Sequence, residues 1–144
     1  ADRRDCPGEE RLAMAEGLLR RWGVAKALEA EQLKLASDAL FEWAGNHWPG
    51  ARWYCEMPLM HRTKSGSVVR GECDLALETN DGWVVIDHKT FSGKPDAAPH
   101  KAASYAGQLY SYAAAIEAAG GKRVLGCFVH MPLLGMVIGV NRQT

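Results

Sequence analysis

Residues 71–89 read GECDLALETNDGWVVIDHK, two apolar runs joined by an Asn-Asp-Gly turn. That pattern predicts a β-hairpin. Asp74 falls on the first strand, and Asp87-His88-Lys89 closes the second. Two carboxylates and a lysine therefore converge at one end of the hairpin, in otherwise apolar surroundings. Burying such charges is costly unless something pairs with them. Any fold for this chain has to account for that one locus.

The rest of the chain predicts helices around a sheet. From residue 9 to about 22, Leu12, Ala15, Leu18 and Leu19 recur at helical spacing, and Gly23 breaks the pattern. A second helix is predicted from about residue 27 to 43, with Leu33, Ala36, Leu40 and Trp43 on one face, ended by Gly45-Asn46. Strands are predicted over residues 52–60, 68–78 and 83–87, with Lys64-Ser65-Gly66 and Asn80-Asp81-Gly82 as turns. A polar loop over 91–99 precedes a helix from about 101 to 118, ended by Gly120-Gly121. Two further strands cover 123–130 and 135–140. The late helix can carry the chain to a parallel neighbour, so the fold class is α/β or α+β with a mixed sheet.

The 144 residues read as a single domain, 1–144, with 47% hydrophobic and 24% charged residues. Lys and Arg balance Asp and Glu at 17 each, which excludes a strongly basic nucleic-acid module but not a local basic face. No apolar run reaches the ~20 residues that span a bilayer. The opening ADRRDCPGEER has no secretory h-region. A cytoplasmic protein with reduced thiols is expected, without membrane partners. Cys6, Cys55, Cys73 and Cys127 are scattered without a Cys-x-x-Cys pair, so they predict no zinc or iron–sulfur site. The charged opening does not look like the start of a domain and predicts a piece of a longer polypeptide.

Each polar group admits a plain reading beside a chemical one. Asp74 alone could be the polar residue of an edge strand. Asp87 and Lys89, two apart on a strand, share a face and could be a salt bridge. With Asp74 added, a metal accounts for the two acids better than one lysine does. It would be hard and oxygen-seeking, Mg²⁺ or Mn²⁺ with retained waters. It would bridge a phosphate and lower the pKa of a bound water, while Lys89 holds or deprotonates that water or neutralises the phosphate. His88 faces the other way and offers its carbonyl. Gly71 reads either as a bulge or as a point of close approach by a nucleic-acid backbone. On the helix, Gln108 and Tyr112 are four apart and share a face with Tyr105 and Ser104; they read as a helix margin or as a substrate-facing surface. His47, His61, His100 and His130 read as surface or structural groups. Ser92-Gly93-Lys94 lacks the full phosphate-loop pattern, so no bound nucleotide is predicted.

At these residues the chain resembles the PD-(D/E)XK nuclease superfamily, in its RecB-like branch. That branch carries a Gly-x-x-Asp strand, an Asp-x-Lys strand and a Gln-x-x-x-Tyr helix. Here they stand as Gly71-Glu72-Cys73-Asp74, Asp87-His88-Lys89 and Gln108 to Tyr112, preceded by a Glu-x-Pro strand at Glu56-Met57-Pro58. The resemblance spans roughly residues 53–140 and is closest to the C-terminal nuclease domain of AddA-type (UvrD/Rep-like) helicase–nuclease subunits. It implies a restriction-endonuclease-like core and Mg²⁺-dependent, exonuclease-type hydrolysis of DNA in double-strand break processing and recombinational repair. Asp74, Asp87 and the His88 carbonyl would be metal ligands, and Lys89 the water-positioning base. Gln108, Tyr112 and Tyr105 would place the strand. The implied partners are DNA, the rest of a helicase polypeptide and a partner subunit.

Two departures bear on this. The branch usually supplies a histidine ligand from a helix well before the sheet, whereas here only His47 falls near, at a helix end; the implied ligand would lie upstream of Ala1. Some relatives bind an iron–sulfur cluster through a late cysteine group, and only Cys127 is late here. The alternatives are a non-catalytic module that grips DNA or docks a partner, and a stand-alone restriction-type or junction-cleaving enzyme.

Overall fold

The computed structural model describes residues 30–141. The helix predicted over 9–22 lies outside the described residues. The described elements are α1 (Ala30–His47), β1 (Arg52–Arg62), β2 (Val68–Glu78), β3 (Trp83–His88), a 3₁₀ turn (Pro95–Ala97), α2 (Ala98–Ala103), α3 (Ala106–Gly120), β4 (Val124–Met131) and β5 (Met136–Val140). The strands form a mixed sheet in the order β1-β2-β3-β4-β5. All neighbours are antiparallel except β3 and β4, which run parallel. The crossover between them is α2 and α3, so the chain is α/β as its sequence predicts. Among the described residues no helix is long and apolar enough to cross a membrane.

Helices cover both faces of the sheet. Val84 and Ile86 of β3 and Leu75 and Leu77 of β2 pack with Leu40 and Ala44 of α1. Val85 of β3, Ala76 of β2 and Val129 of β4 pack with Ala102 of α2 and Leu109, Ala113 and Ile116 of α3. Strand alternation thus sorts β3 into an α1 side and an α3 side, and Asp87 falls on the α3 side with Val85.

Two helix ends differ from the sequence reading. α1 runs through Gly45 and Asn46 to His47, where His47 Nδ1 lies 2.8 Å from the Trp43 carbonyl oxygen. The residues around Tyr105 form two helices in place of one. Pro99 sits near the start of α2, a position that costs proline no hydrogen bond, so helical structure begins inside the predicted loop. Ser104 then ends α2, its Oγ donating to the Lys101 carbonyl at 2.6 Å. Tyr105 caps α3. At the far end, Gly121 takes φ 68 and its N–H closes onto the Glu117 carbonyl.

The β1–β2 hairpin switches faces partway along. Trp53 and Cys55 face α1, and Tyr54 faces α3; beyond Glu56, Met57 and Leu59 also face α3. On β2, Leu75 faces α1 while Cys73, two residues away, joins the α3 side. The break falls at Glu56, which has φ 51 in the middle of the strand. That left-handed backbone costs roughly 1–2 kcal/mol in a non-glycine residue. Pairing holds the same register on both sides of it, Cys55 with Leu75 and Met57 with Cys73. Glu56 therefore stands opposite Asp74, and both strands turn there together.

Candidate active site

The face switch and the end of β3 meet at one place. The β2–β3 ladder stops at Leu75 and Ile86. One step further, the His88 N–H has no ladder partner and donates to Asp74 Oδ2 at 2.7 Å. A carboxylate thus replaces a backbone acceptor and fastens Asp74 to the strand carrying Asp87. The Asp87 side chain is only 2% exposed. Lys89 follows just beyond β3, anchored by its N–H to the His130 carbonyl at 2.9 Å, and its Nζ lies 2.6 Å from Asp87 Oδ2. Lys89 is thus the charge partner of a carboxyl that is otherwise sealed from water and lies within reach of Asp74.

Burial pushes the Asp74 carboxyl above the ordinary aspartate range, opposed by the His88 N–H and the Lys89 charge. Burial likewise raises Asp87, opposed by Lys89 and reinforced by the Asp74 charge. The two carboxyls therefore sense each other, and a proton or a cation relieves both. Burial raises the nearby Cys73 thiol to about 12, and both aspartates add to that rise. It is a core residue in this site, without nucleophilic character.

The helix contributes a second group. Gln108 Nε2 donates to the Tyr112 hydroxyl at 2.7 Å. A Cβ on Gly71 would stand 2.7 Å from Tyr112 Cε1, so the tyrosine ring lies directly on the Gly71 backbone. That settles the two readings of Gly71: the close approach is by a side chain of this chain, and the strand irregularity comes three residues later. Tyr105 lies beneath Lys89, whose Nζ is 4.9 Å from the ring centroid.

The seven residues singled out by sequence thus divide. Asp74, Asp87, Lys89 and Tyr105 meet at the end of β3, and Gln108 and Tyr112 form a bonded pair beside the strand that carries Asp74. The His88 ring points away, as its position on the strand requires, and pairs with His130 across the β3–β4 ladder at 2.9 Å between Nδ1 atoms. Sequence reasoning missed Lys101. Its Nζ lies 5.1 Å from the same Tyr105 centroid that Lys89 approaches, placing a second cation beside the site. Lys101 lies in the last turn of α2 and Tyr105 caps α3, so the turn between the two helices, and no single-helix spacing, brings them together.

Among the described residues no group of three His, Cys, Asp or Glu side chains is arranged to hold a metal ion. The donor set still suits one kind of ion. Mg²⁺ needs only one or two carboxylates, because waters and substrate phosphates complete its shell. Two neighbouring carboxyls that burial strains and that sense each other's charge fit that demand.

No curated protein matches the chain closely enough to count as a relative. A family profile matches residues 2–133, covering β1 to β4, α1 to α3 and all seven site residues. Members of that family are generally nucleases and typically use divalent metals. The mixed five-stranded sheet with its flanking helices is the restriction-endonuclease-like fold, and the chain belongs to the PD-(D/E)XK nuclease superfamily.

Proposed function

We propose that this chain is a metal-dependent DNA nuclease domain of the RecB-like branch, hydrolysing phosphodiester bonds at DNA ends. The observation that carries this reading is the meeting of Asp74, Asp87 and Lys89 at the end of β3. Asp74, Asp87 and the His88 carbonyl would hold Mg²⁺, with Mn²⁺ able to substitute. When bound, the ion supplies positive charge for a phosphate oxygen and acidifies a coordinated water. Lys89 orients the attacking water against Asp87 and offsets charge on the phosphate. Lys101, beside the same tyrosine ring, adds to that positive field. Gln108, Tyr112 and Tyr105 place the DNA strand. The motif order favours a nuclease unit within an AddA-type helicase–nuclease polypeptide, working with a partner subunit in double-strand break processing and recombinational repair.

The test is incubation of linear duplex and single-stranded DNA with Mg²⁺ or Mn²⁺, using the wild-type chain, Asp87→Ala and Lys89→Ala. Wild type should degrade DNA, and each variant should be slower by 100-fold or more. Equal degradation by all three discards the site. The one histidine of α1, His47, stands at its end, and this departure from the helix histidine usual in the branch favours a second reading, a nuclease-like module that grips DNA without cutting it. Calorimetry with Mn²⁺ separates the two, since a gripping module has no use for a cation at Asp74 and Asp87.

A further inference from the structure

The outer half of the β1–β2 hairpin projects beyond the sheet. β3 pairs with β2 only at Leu75–Glu78, so residues 57–62 and 68–73 form a two-stranded ribbon. Such a ribbon is marginal alone. One face is held by helix α3, through Leu59 and Gly71. The other face carries Met60, Arg62, Val68 and Arg70. Met60 stands opposite Arg70 and Arg62 opposite Val68, so the four share one surface. All four are exposed, Met60 at 68% and Val68 at 45%. Lys64 adds a third cation at the tip. Glu72, opposite Pro58, is the acid on this face of the ribbon, and none of the three cations has an acidic partner among the described residues. With three cations against Glu72, in a chain of zero net charge, this is a net basic surface with apolar residues interleaved.

We propose that this arm is a nucleic-acid contact adjoining the site at its root. The inference rests on the nuclease reading for its purpose but not for its measurement. Arg62 and Arg70 are diagonal neighbours, about 7–8 Å apart at their backbone. A nucleic-acid strand rises about 3.4 Å per phosphate, so the two guanidiniums match phosphates two steps apart. Met60 and Val68 lie between them and offer apolar surface to sugars or base faces. Asp74 immediately follows Cys73, the last residue of the ribbon, but Asp87 faces the α3 side with Val85 and the basic surface faces the opposite one, so the arm holds a strand beside the site rather than leading it onto the carboxylates.

The test is fluorescence anisotropy with a labelled single-stranded oligonucleotide in chelator, where no cleavage can occur, across a salt series. The double variant Arg62→Ala/Arg70→Ala should bind tenfold or more weakly. Its log K against log salt should be shallower by about 1.4, two contacts at about 0.7 each. Arg62→Lys/Arg70→Lys should restore most of the binding, and thermal melts should show all variants folded. Unchanged binding by the alanine variant overturns the proposal, as does wild type failing to bind in chelator. Loss of self-association with DNA binding intact would reassign the face to a protein partner and equally overturn it. If the arm binds as described while wild type cuts nothing with Mn²⁺, the nuclease reading fails and the arm stands.

Discussion

The His88 backbone N–H donates to Asp74 Oδ2 at 2.7 Å, at the step where the β2–β3 ladder gives out. The carboxylate therefore does structural work, and its charge is costly at the same time. Burial raises its folded pKa above the ordinary aspartate value of 3.8. A raised carboxyl pKa favours the fold on the acid side of 3.8, and that advantage is lost as pH rises through the folded value. At pH 8 without metal, the ionised group opposes folding. Asp74→Asn keeps an oxygen for the His88 N–H and removes the charge. It should melt a few degrees above wild type at pH 8 in chelator, with the gap closing as pH falls toward 3.8. A lower melting point at pH 8 would show that the carboxylate's favourable contacts outweigh its burial.

Tyr112 and Gly71 make a tight joint between α3 and the hairpin. A methyl group at Gly71 would sit 2.7 Å from the tyrosine ring, so Gly71→Ala must push the ring and with it the Gln108 contact. Overpacking of this kind costs about 1–3 kcal/mol. Tyr112→Phe should not relieve it, because the crowded atom belongs to the ring. Tyr112→Leu should relieve part of it, and a double-mutant cycle by urea denaturation should show a coupling above about 0.5 kcal/mol. Strict additivity would mean the two do not touch.

Much of this was legible in the chain. The Asn-Asp-Gly turn and the runs on either side identified the hairpin because turn chemistry and apolar alternation agree there; in the structure Thr79 Oγ1 accepts from the Asp81 and Gly82 N–H groups to close it. Asp87 and Lys89 could be put on one face because a strand has period two. Asp74 was harder. Simple alternation fails at Glu56 on β1 and Asp74 on β2, where the two strands turn together, and nothing in Glu56-Met57-Pro58 announces a left-handed glutamate. The break between α2 and α3 was hidden for another reason. Residues 101–118 are rich in alanine and keep helical spacing throughout, so nothing in their pattern marks the break at Ser104. The pairing of His88 with His130 joins positions 42 apart, and only the parallel register of β3 and β4 brings them together.

His130 gives the fold a predictable acid weakness. Burial, and then the neighbouring His88, lower its pKa from 6.5 to about 3. A depressed histidine pKa stabilises the fold above 6.5, and this is lost as pH falls from 6.5 toward 3, where the unfolded chain takes up a proton that the folded one refuses. Each such proton is worth about 1.4 kcal/mol per pH unit. His130→Asn, which still offers a polar partner to His88, should flatten stability against pH between 6 and 4 by about that slope, measured by urea midpoints. Parallel profiles for variant and wild type would place the acid sensitivity elsewhere.

A cation at the two aspartates should be visible in stability even without turnover. A ligand at 100 times its Kd stabilises by about 2.7 kcal/mol, so saturating Mn²⁺ should raise the wild-type melting temperature clearly. Asp74→Asn and Asp87→Asn should each lose that rise, because one carboxylate and a carbonyl hold the ion poorly. His88→Ala should keep it, since the His88 ring lies on the opposite face with His130 and only its carbonyl is on offer. Protons compete with the cation for carboxyls whose pKa values burial has raised. The rise should therefore fade on acidification at a higher pH than an ordinary aspartate pair would give. A rise that survives both Asn substitutions would put the ion somewhere else on the chain.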